Sequence, residues 1–484
     1  MQRRADIDGE TVNTAVLLAR NPGKSLPNLP ISEELVRRFD VSGPRYTSYP
    51  TADRFHAEFT ESAYIGKLTE RSQRLENPPL SVYVHLPFCE SLCYFCACNK
   101  IITQDHSRSA EYVRYLGKEA AMVASYLGSD RKTVQLHFGG GTPTFLSASE
   151  LHELMAVLRT HFEFSDDAEL SVEIDPRTVT DTTMAMLAGL GFNRTSFGVQ
   201  DFDPDVQLAI HRIQPLEMVE AAIRASRAAG FKSINADLIY GLPKQSLATF
   251  SRTLDNLIRL SPDRIALYNY AHLPGHFKAQ RLIQQSDLPS TEERLQIFLM
   301  SVERLLEAGY EYIGLDHFAK SDDELNRARL DNSLHRNFQG YTTRAECDLI
   351  GLGVSAIGKV GTSYSQSVRN LHTYYYRLDH GQLGTERGVE LNAEDQLRRQ
   401  VIMEIMCSKP VDFALISQRH GVDFADYFSS ELATLEPFVQ AGLLTLDADS
   451  LQVTSKGRLF VRAVAMTFDR FLARPAAGTY SRVI

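Results

Sequence analysis

The sequence predicts an α/β fold in which about six parallel strands and their crossover helices form a partial (β/α)6 barrel, with an N-terminal arm and a C-terminal winged-helix-like helical domain. From residue 81, short β-branched or aromatic runs alternate with longer amphipathic segments, which is typical of repeated βα units. From residue 391, the predicted order becomes helix, helix, helix, hairpin, helix, which is typical of a winged-helix-like domain. The chain is therefore predicted to join two differently built parts.

The predicted strands are SVYVHL (81–86), VQLHFG (134–139), ELSVEID (169–175), RTSFGVQ (194–200), SINADLIYGLP (233–243) and RIALYNYAHLP (264–274). Amphipathic segments with glycine-containing stops predict the intervening helices near 109–127, 148–162, 180–190, 216–230 and 246–259. Residues 275–390 combine a predicted helix (291–308) with short apolar segments, which we expect to complete the same domain.

Four segments follow from these patterns. Residues 1–30 form an N-terminal extension to which we assign no function and whose order the sequence leaves open. Residues 31–63 are rich in Tyr, Pro and Ser with little helical or strand regularity, which suits an arm that folds over a site. Residues 64–390 form the barrel with its extension, and residues 391–484 the C-terminal domain.

Composition indicates a cytoplasmic enzyme, with 43% hydrophobic and 23% charged residues over 484 positions. The charged N-terminus contains only the short apolar run AVLLA, so we expect neither a secretory signal nor a membrane anchor. The net charge of −9 disfavours nucleic-acid binding, and the third C-terminal helix carries Asp426, Glu431 and Glu436 but no lysine or arginine. An anionic substrate would therefore need a locally basic pocket.

Three cysteines on one short loop are the strongest chemical signal. Cys89, Cys93 and Cys96 follow the first predicted strand, and three thiolates can hold three irons of a 4Fe-4S cluster while the fourth iron stays open to a small molecule. With Cys98, the alternative is a closed zinc site, although Cys96 and Cys98 are too close in sequence to complete a relaxed tetrahedron easily. Clustering of four of the six cysteines argues against a disulfide framework.

Polar residues mark the predicted strand ends. Glu173, Gln200, Asp237 and Tyr270 recur at about the spacing of one βα unit, so their side chains could converge at the mouth of a barrel, where active sites lie. The alternative for each is a capping role at the following helix. After the second strand, glycines 139–141 allow close backbone approach and are expected to direct amide N–H groups toward an anion or a carboxylate.

These motifs resemble the radical S-adenosylmethionine (SAM) superfamily and, more closely, the family of oxygen-independent coproporphyrinogen III oxidases, also called coproporphyrinogen dehydrogenases. The resemblance extends from about residue 31 to the C-terminal SRVI. The segments that carry it are PRYTSYPTA (44–52), CYFCACNK (93–100), GGGTPT (139–144), EIDPR (173–177), FGVQDF (197–202), DLIYGLPKQ (237–245), NYAHLP (269–274) and HRNFQGYTT (335–343).

The resemblance implies that Cys89, Cys93 and Cys96 ligate the 4Fe-4S cluster and that its open iron binds SAM. Implied contacts of this first SAM molecule are Tyr83, Gly140, Glu173 and Ile357. Implied contacts of a second SAM molecule are Phe95, Gly141, Thr142, Gln200, Arg212, Asp237 and Ala271. For Arg212, the sequence alone favours a surface salt bridge instead. Cys98 also matches the family, as a non-ligand without an assigned role.

The implied reaction is oxidative decarboxylation of the ring A and B propionates of coproporphyrinogen III to vinyl groups, giving protoporphyrinogen IX. Reductive cleavage of SAM would supply a 5'-deoxyadenosyl radical, so no side-chain acid or base is expected. The implied partners are an electron donor such as a flavodoxin or ferredoxin and an electron acceptor, and we expect a monomer. Arg45 is our candidate cation for the tetracarboxylate substrate.

Two other functions remain open at this stage. One is a radical SAM-like haem chaperone without oxidase activity, although Cys98 and PRYTSYPTA are features that this group typically lacks. The other is a zinc-stabilised barrel without radical chemistry, which metal analysis would distinguish.

Overall fold

The computed structural model describes residues 33–344 and 347–472, so the predicted extension 1–30 and the C-terminal SRVI lie outside the described residues. Six parallel strands form the centre of the fold, at the predicted positions. They are β1 (Leu80–Leu86), β2 (Lys132–Gly140), β3 (Glu163–Ile174), β4 (Arg194–Gln200), β5 (Ser233–Tyr240) and β6 (Arg264–Asn269). β5 and β6 end earlier than predicted. The chain turns after β5 because Gly241 adopts a positive φ of 84°, which glycine tolerates.

Six further strands extend this sheet, so the barrel is open rather than closed. They are β7 (Tyr310–Gly314), β8 (His317–Lys320), β9 (Asp348–Leu352), β10 (Ile357–Val360), β11 (Ser363–Ser367) and β12 (Thr385–Glu390). The sheet order is β12-β11-β10-β9-β1-β2-β3-β4-β5-β6-β8-β7. β9 pairs parallel with β1, whereas β8 pairs antiparallel with β6. The predicted α/β class with a partial (β/α)6 barrel is confirmed, within a mixed sheet.

Helices flank the sheet. They are α2 (Glu61–Ser72), α3 (Ser107–Leu127), α4 (Ala148–His161), α5 (Asp181–Gly189), α6 (Pro204–Ala209), α7 (Leu216–Ala228), α8 (Leu247–Leu260), α9 (Thr291–Glu307), α10 (Glu324–Leu330) and α11 (Leu371–Asp379). Six of them, α3, α4, α5, α7, α8 and α9, begin and end close to the predicted residues, whereas α2, α6, α10 and α11 were not predicted. Several begin at side-chain caps, as at Ser147 before α4 and Ser246 before α8. Burial of the apolar faces of these helices against the sheet forms the main core.

The arm differs from its prediction because it begins with a helix, α1 (Glu33–Phe39). From the end of this helix onward, the arm packs on the C-terminal domain: the Phe39 ring lies 4.6 Å from that of Phe438, and the Tyr46 hydroxyl donates to Asp469 at 2.9 Å. Arg462 donates to the carbonyl of Pro44 at 3.0 Å. These contacts hold the arm against the C-terminal domain. A role as a lid stays a prediction.

The C-terminal domain shows the predicted order of elements. Its helices are α12 (Ala393–Met406), α13 (Phe413–His420), α14 (Phe424–Tyr427), α15 (Ser429–Thr434), α16 (Glu436–Gln440) and α17 (Val461–Met466). The predicted hairpin, Leu444–Leu446 with Ser450–Val453, gains a third strand at Val411–Asp412. The prediction of one long third helix is wrong, since α14 to α16 are separate; Pro437 lacks the N–H that would continue a helical ladder into α16.

Among the helices of the described ranges, none combines the length and the apolar character that a membrane span requires.

A buried ion pair fixes the sheet next to β1. Arg71 of α2 is 1% exposed, and its Nε donates to Asp348 Oδ2 at 2.9 Å. Its two other nitrogens donate to the carbonyls of Asp130 and Pro78, each at 2.7 Å. Asp348 opens β9 and accepts a second bond from the amide of Gly361. One guanidinium thus connects α2, β9 and the segment that leads into β1.

We predict that Arg71→Met lowers the free energy of unfolding by about 3–5 kcal/mol, because removal of one partner leaves the Asp348 carboxylate buried without its cation. Urea denaturation followed by circular dichroism measures the change. The matched control is Arg74→Met, whose guanidinium pairs at the surface with Glu70 and should change stability by less than about 1 kcal/mol. Equal losses in both variants would contradict this assignment.

Candidate active site

A cavity of about 490 Å³ lies on the inner face of the sheet, at and below the carboxyl ends of its parallel strands. We call it the lumen cavity. The predicted site residues in its wall are Tyr83, Cys98, Gly140, Glu173, Asp237 and Ile357. They come from β1, β2, β3, β5, β10 and the cysteine loop, because the ends of neighbouring parallel strands meet at one rim. The structure therefore brings together all four implied contacts of the first SAM molecule.

The cysteine loop projects from the end of β1 and is closed by a short ladder. Residues Phe88–Cys89 pair in parallel with Ile101–Ile102, and the amide of Thr103 donates to the Cys89 carbonyl at 2.9 Å. Cys93 is buried, Cys89 and Cys96 are partly buried, and Cys98 is exposed. The ladder closes a short loop that carries the three predicted ligands beside the lumen cavity.

Hydrogen-bond donors point at two of the three thiols. Thr142 Oγ1 lies 3.5 Å from Cys89 Sγ, and Arg212 Nη1 and Arg177 Nη2 lie 3.4 and 3.8 Å from Cys93 Sγ. Such donors stabilise the negative charge of cysteine thiolates and tune an iron–sulfur cluster that the thiolates hold. The donor set therefore fits a thiolate-bound cluster.

Asp175 holds both arginines in place. Its Oδ2 accepts from Arg177 Nη2 at 2.7 Å and from Arg212 Nη1 at 3.0 Å. Burial alone would raise the pKa of Asp175, but the two guanidinium groups hold that pKa below its usual value. Arg212 is only 7% exposed, so the interpretation of a surface salt bridge is wrong: the ion pair exists, but it is buried against Cys93.

The thiols do not surround a single-ion position. Within residues 33–344 and 347–472, no group of three or more His, Cys, Asp or Glu side chains is placed to hold one metal ion. A zinc site would need its donors around one centre, whereas a 4Fe-4S cluster binds each thiolate to a different iron. Burial raises the pKa of Cys89 to about 11, although Thr142 opposes the shift. The Cys98 thiol and Lys100 lower the pKa of Cys96.

The glycine triplet packs against this site more closely than any side chain would allow. A Cβ on Gly140 would lie 2.4 Å from the His85 ring, and a Cβ on Gly139 would lie 2.9 Å from the Glu173 carboxylate. The Gly140 amide donates to Glu173 Oε2 at 3.0 Å, and the Gly141 amide donates to the Leu86 carbonyl at 2.8 Å. The triplet does direct an amide toward a carboxylate, but that carboxylate is the protein's own.

Glu173 and Asp237 are two of the three carboxylates that line the lumen cavity, with Glu169 the third, and their environments differ. Glu173 Oε1 lies 3.2 Å from His137 Nε2; although burial acts to raise the pKa of Glu173, contacts with His137 and the Gly140 amide lower it. Asp237 accepts from Ser196 at 3.0 Å and from Asn235 at 2.8 Å, both uncharged. Burial and the charge of Glu173 raise the pKa of Asp237 to about 7.

Two of the four strand-end residues do not join these carboxylates. Gln200 is buried at an irregularity in the β4–β5 pairing and has a φ of 66°, and Tyr270 lines a different cavity. The predicted convergence therefore holds for Glu173 and Asp237 and is wrong for Gln200 and Tyr270. The four do not act as helix N-caps in the described chain, since other residues occupy those positions.

The remaining predicted contacts lie around the cysteine loop. Gln280 Nε2 donates to the carbonyls of Phe95 and Ala271, each at 3.1 Å, and so ties the loop to the segment after β6. Ala271 lines the second cavity, which Tyr270 also lines. Thr142 and Arg212 touch the thiols, as described above. Their assignment to a second SAM molecule stays a prediction.

Arg45, the predicted substrate cation, is already paired. Its guanidinium forms an ion pair with Asp316 and lies over the Tyr268 ring at 5.5 Å. Burial lowers the pKa of Arg45. Its role toward the substrate stays a prediction, but its charge is compensated within the protein.

Sequence reasoning missed several residues that shape the lumen cavity, namely His85, His137, Ser196 and Asn235. A signal was present. His85 follows Tyr83 by two positions in β1, and Asn235 precedes Asp237 by two in β5, so the alternation of side chains along a strand places each pair on one face. The Tyr83 hydroxyl lies 3.0 Å from His85 Nδ1.

Comparison with known proteins supports the same class. The model of the radical SAM superfamily matches residues 83–257, and the model of the HemN C-terminal domain matches residues 391–460. With an α/β partial barrel and a three-cysteine loop at its rim, the chain is a radical SAM enzyme.

The family follows from proteins that match almost the whole chain. An oxygen-independent coproporphyrinogen III oxidase of Pseudomonas aeruginosa is 49% identical over 453 residues, covering 93% of this chain and 98% of that protein. One from Helicobacter pylori is 46% identical, covering 91% and 97%. The solved coproporphyrinogen III oxidase of Escherichia coli has a TM-score of 0.85 at 44% identity, covering 88% and 98%. The chain belongs to the family of oxygen-independent coproporphyrinogen III oxidases.

The raised pKa of Asp237 predicts how stability depends on pH. A carboxyl group whose pKa is higher in the folded than in the unfolded protein binds an extra proton when folded, so its contribution to stability is lost as pH rises through the folded pKa of about 7. Asp237→Asn removes this titration. We therefore expect the melting temperature of the variant, relative to that of the parent, to be higher at about pH 8 than at about pH 5.

Melting temperatures of both proteins at the two pH values measure this gain, and the difference between them cancels any loss of hydrogen bonding. The control is Asp181→Asn, an exposed residue of the α5 first turn. A pH-independent offset between parent and Asp237→Asn would refute the proton uptake.

Proposed function

We propose that this enzyme converts coproporphyrinogen III to protoporphyrinogen IX by oxygen-independent oxidative decarboxylation of the ring A and B propionates to vinyl groups. When bound, a 4Fe-4S cluster and SAM would supply the 5'-deoxyadenosyl radical that removes a hydrogen atom from the propionate. The observation that carries the proposal is that the donor-bonded thiols of Cys89 and Cys93 lie on the loop that borders the lumen cavity with Glu173 and Asp237.

The first SAM molecule would lie in the lumen cavity. Cys89, Cys93 and Cys96 would ligate three irons, and the fourth would accept the amino and carboxylate groups of SAM. Glu173 suits an ammonium group because contact with His137 and the Gly140 amide favours its ionised form against the burial penalty. Ile357 lines the same cavity and offers an apolar surface to an adenine face.

A second SAM molecule would take the residues between the loop and the strand ends. Asp237 borders the lumen cavity, Arg212 lies against Cys93, and Ala271 lies beyond the loop. Arg212 donates from Nε to Gln214 and from Nη2 to the Gly198 carbonyl, so most of its hydrogen-bond donors are already used within the protein. The proposal of a second SAM molecule therefore rests on the family likeness and not on unbonded donors of Arg212.

The protein's own contribution is binding, orientation and exclusion of water. Strand-end carboxylates and cysteine-loop donors hold charged groups in a low-dielectric cavity, where their interactions are stronger than in water. No pair of acid and base side chains is needed for hydrogen-atom abstraction. We further propose a cytoplasmic monomer that takes its electron from a flavodoxin or ferredoxin and passes the final substrate electron to an acceptor.

Cysteine substitutions test the proposal directly. After anaerobic reconstitution with iron and sulfide, the parent with SAM, a reductant and coproporphyrinogen III should form protoporphyrinogen IX, 5'-deoxyadenosine and carbon dioxide. Cys89→Ser, Cys93→Ser and Cys96→Ser should each lose the brown chromophore and reduce product formation by at least about 10³-fold, because a hydroxyl is a poor iron ligand. Iron analysis, visible absorption and chromatography measure these changes.

The matched control is Cys347→Ser, a partly buried thiol outside the cysteine loop, which should keep the chromophore and the activity. An active serine variant at position 89, 93 or 96 would contradict the ligand assignment. A parent that binds haem but forms no protoporphyrinogen IX would instead indicate a haem chaperone.

A further inference from the structure

A second and larger cavity, of about 780 Å³, lies at the carboxyl ends of β5 and β6. We call it the arm cavity because helix α1 of the arm forms one of its walls. The turn after β5 and the segment Asn269–Leu273 form the second wall, and residues 285–298, which include the start of α9, form the third. Its volume falls in the range of about 300–1,000 Å³ that is usual for small-molecule sites. Ala271 connects this cavity to the loop that holds the thiols, through Gln280.

Arg294, in the first turn of α9, brings a cation into the arm cavity. Within the described part of the chain, its Nε is buried without a hydrogen-bond partner, and its Nη2 reaches only Thr291 Oγ1, at 3.5 Å. Among the described residues, no carboxylate lies within ion-pair distance of Arg294. A planar guanidinium with open donors fits a carboxylate in a bidentate manner.

The other charged groups of this cavity are differently placed. Arg37 on α1 pairs with Glu292, so its charge is compensated at the mouth. Burial lowers the pKa of His272, whose Nδ1 lies 2.9 Å from the Tyr270 hydroxyl. Asp40 lies on the arm side. The side of the arm cavity that Arg294 lines therefore carries an uncompensated positive charge, which attracts an anion.

Gly241 makes room for the Arg294 side chain. A Cβ at this position would lie 2.9 Å from Arg294 Cδ and 3.5 Å from Asn269 Oδ1. The φ of Gly241 is 84°, which side-chain-bearing residues rarely adopt. The turn after β5 thus lets the arginine stem pass across the strand end.

We propose that the arm cavity holds the tetrapyrrole substrate and that the Arg294 guanidinium binds one of its propionate carboxylates. This inference rests on the proposed function and adds the location and the anchoring residue. Part of the wall suits a pyrrole macrocycle, since the apolar side chains of Leu273, Leu288, Leu295 and Phe298 line the cavity among polar residues. Arg45 pairs with Asp316, whereas Arg294 keeps its fork open, so Arg294 is the better candidate for the anchor.

Binding of a stable porphyrin tests the anchor. Coproporphyrin III, the oxidised form of the substrate, and its tetramethyl ester are titrated against reconstituted holoenzyme with SAM, and fluorescence quenching is measured. Arg294→Met should weaken binding of the tetra-acid by about 10–100-fold, as expected for loss of a charge-assisted bidentate pair, and change binding of the ester by less than about 2-fold. Arg294→Lys, which keeps the charge but not the fork, should fall between the two.

The matched control is Arg281→Met, since this exposed arginine donates to the Pro274 carbonyl and does not line the arm cavity. It should leave both affinities unchanged. Iron content and circular dichroism confirm that each variant is folded and loaded. Gly241→Ala would displace the aliphatic part of the Arg294 side chain, so it should weaken binding of the tetra-acid more than binding of the ester.

Product formation by the parent separates the two proposals. If the parent forms protoporphyrinogen IX but Arg294→Met binds the tetra-acid as tightly as the parent, the anchor is refuted while the function stands. If the parent forms product but the ester and the tetra-acid lose affinity equally in the variant, Arg294 acts by packing and the anchor is again refuted. If the parent forms no product and binds neither porphyrin, both proposals fail.

Discussion

The buried Asp175 carboxylate is the interaction on which the site depends. It follows β3 directly and holds Arg177 and Arg212 against the thiol of Cys93, so one residue joins the strand end, the cysteine loop and the turn after α6. Burying three charged groups is costly, and replacement by apolar residues is often neutral or stabilising in other proteins. Two guanidinium cations face one carboxylate here, which leaves one positive charge. A thiolate at Cys93 would balance that charge, and this explains the arrangement.

The sequence predicted the fold and half of the strand-end convergence because both follow from local rules. Alternating apolar runs placed all six parallel strands, and the carboxyl-end rule placed Glu173 and Asp237 in one cavity. The rule failed for Gln200 and Tyr270. A pairing irregularity shifts Gln200 off the strand geometry, and the chain has already left β6 at Tyr270. Spacing along the sequence does not encode bulges or the direction of a chain after a strand ends.

Long-range pairing was the second limit of prediction. Asp316 compensates the charge of Arg45, and Arg212 is buried in an ion pair with Asp175. In each pair the two residues are far apart in sequence, so no local pattern indicates the pairing. The helix in the arm was missed because EELVRRF is too short to show a clear periodicity. The break between α14 and α16 was missed because apolar spacing outweighed Pro437 in the pattern.

The two cavities divide charge in a way that suits two different ligands. The lumen cavity presents Glu173 and Asp237, while its arginines, Arg194 and Arg264, are paired with neighbouring carboxylates, so it suits the sulfonium and ammonium groups of a SAM molecule. The arm cavity presents the open guanidinium of Arg294. Adjacent positions at the end of β6 contribute to this division, since Tyr268 lines the first cavity and Asn269 the second. A chain with a net charge of −9 repels an anionic substrate at long range. A tetracarboxylate therefore needs a local cation that the protein has left uncompensated, and a cation already neutralised by a neighbouring aspartate cannot serve it equally well.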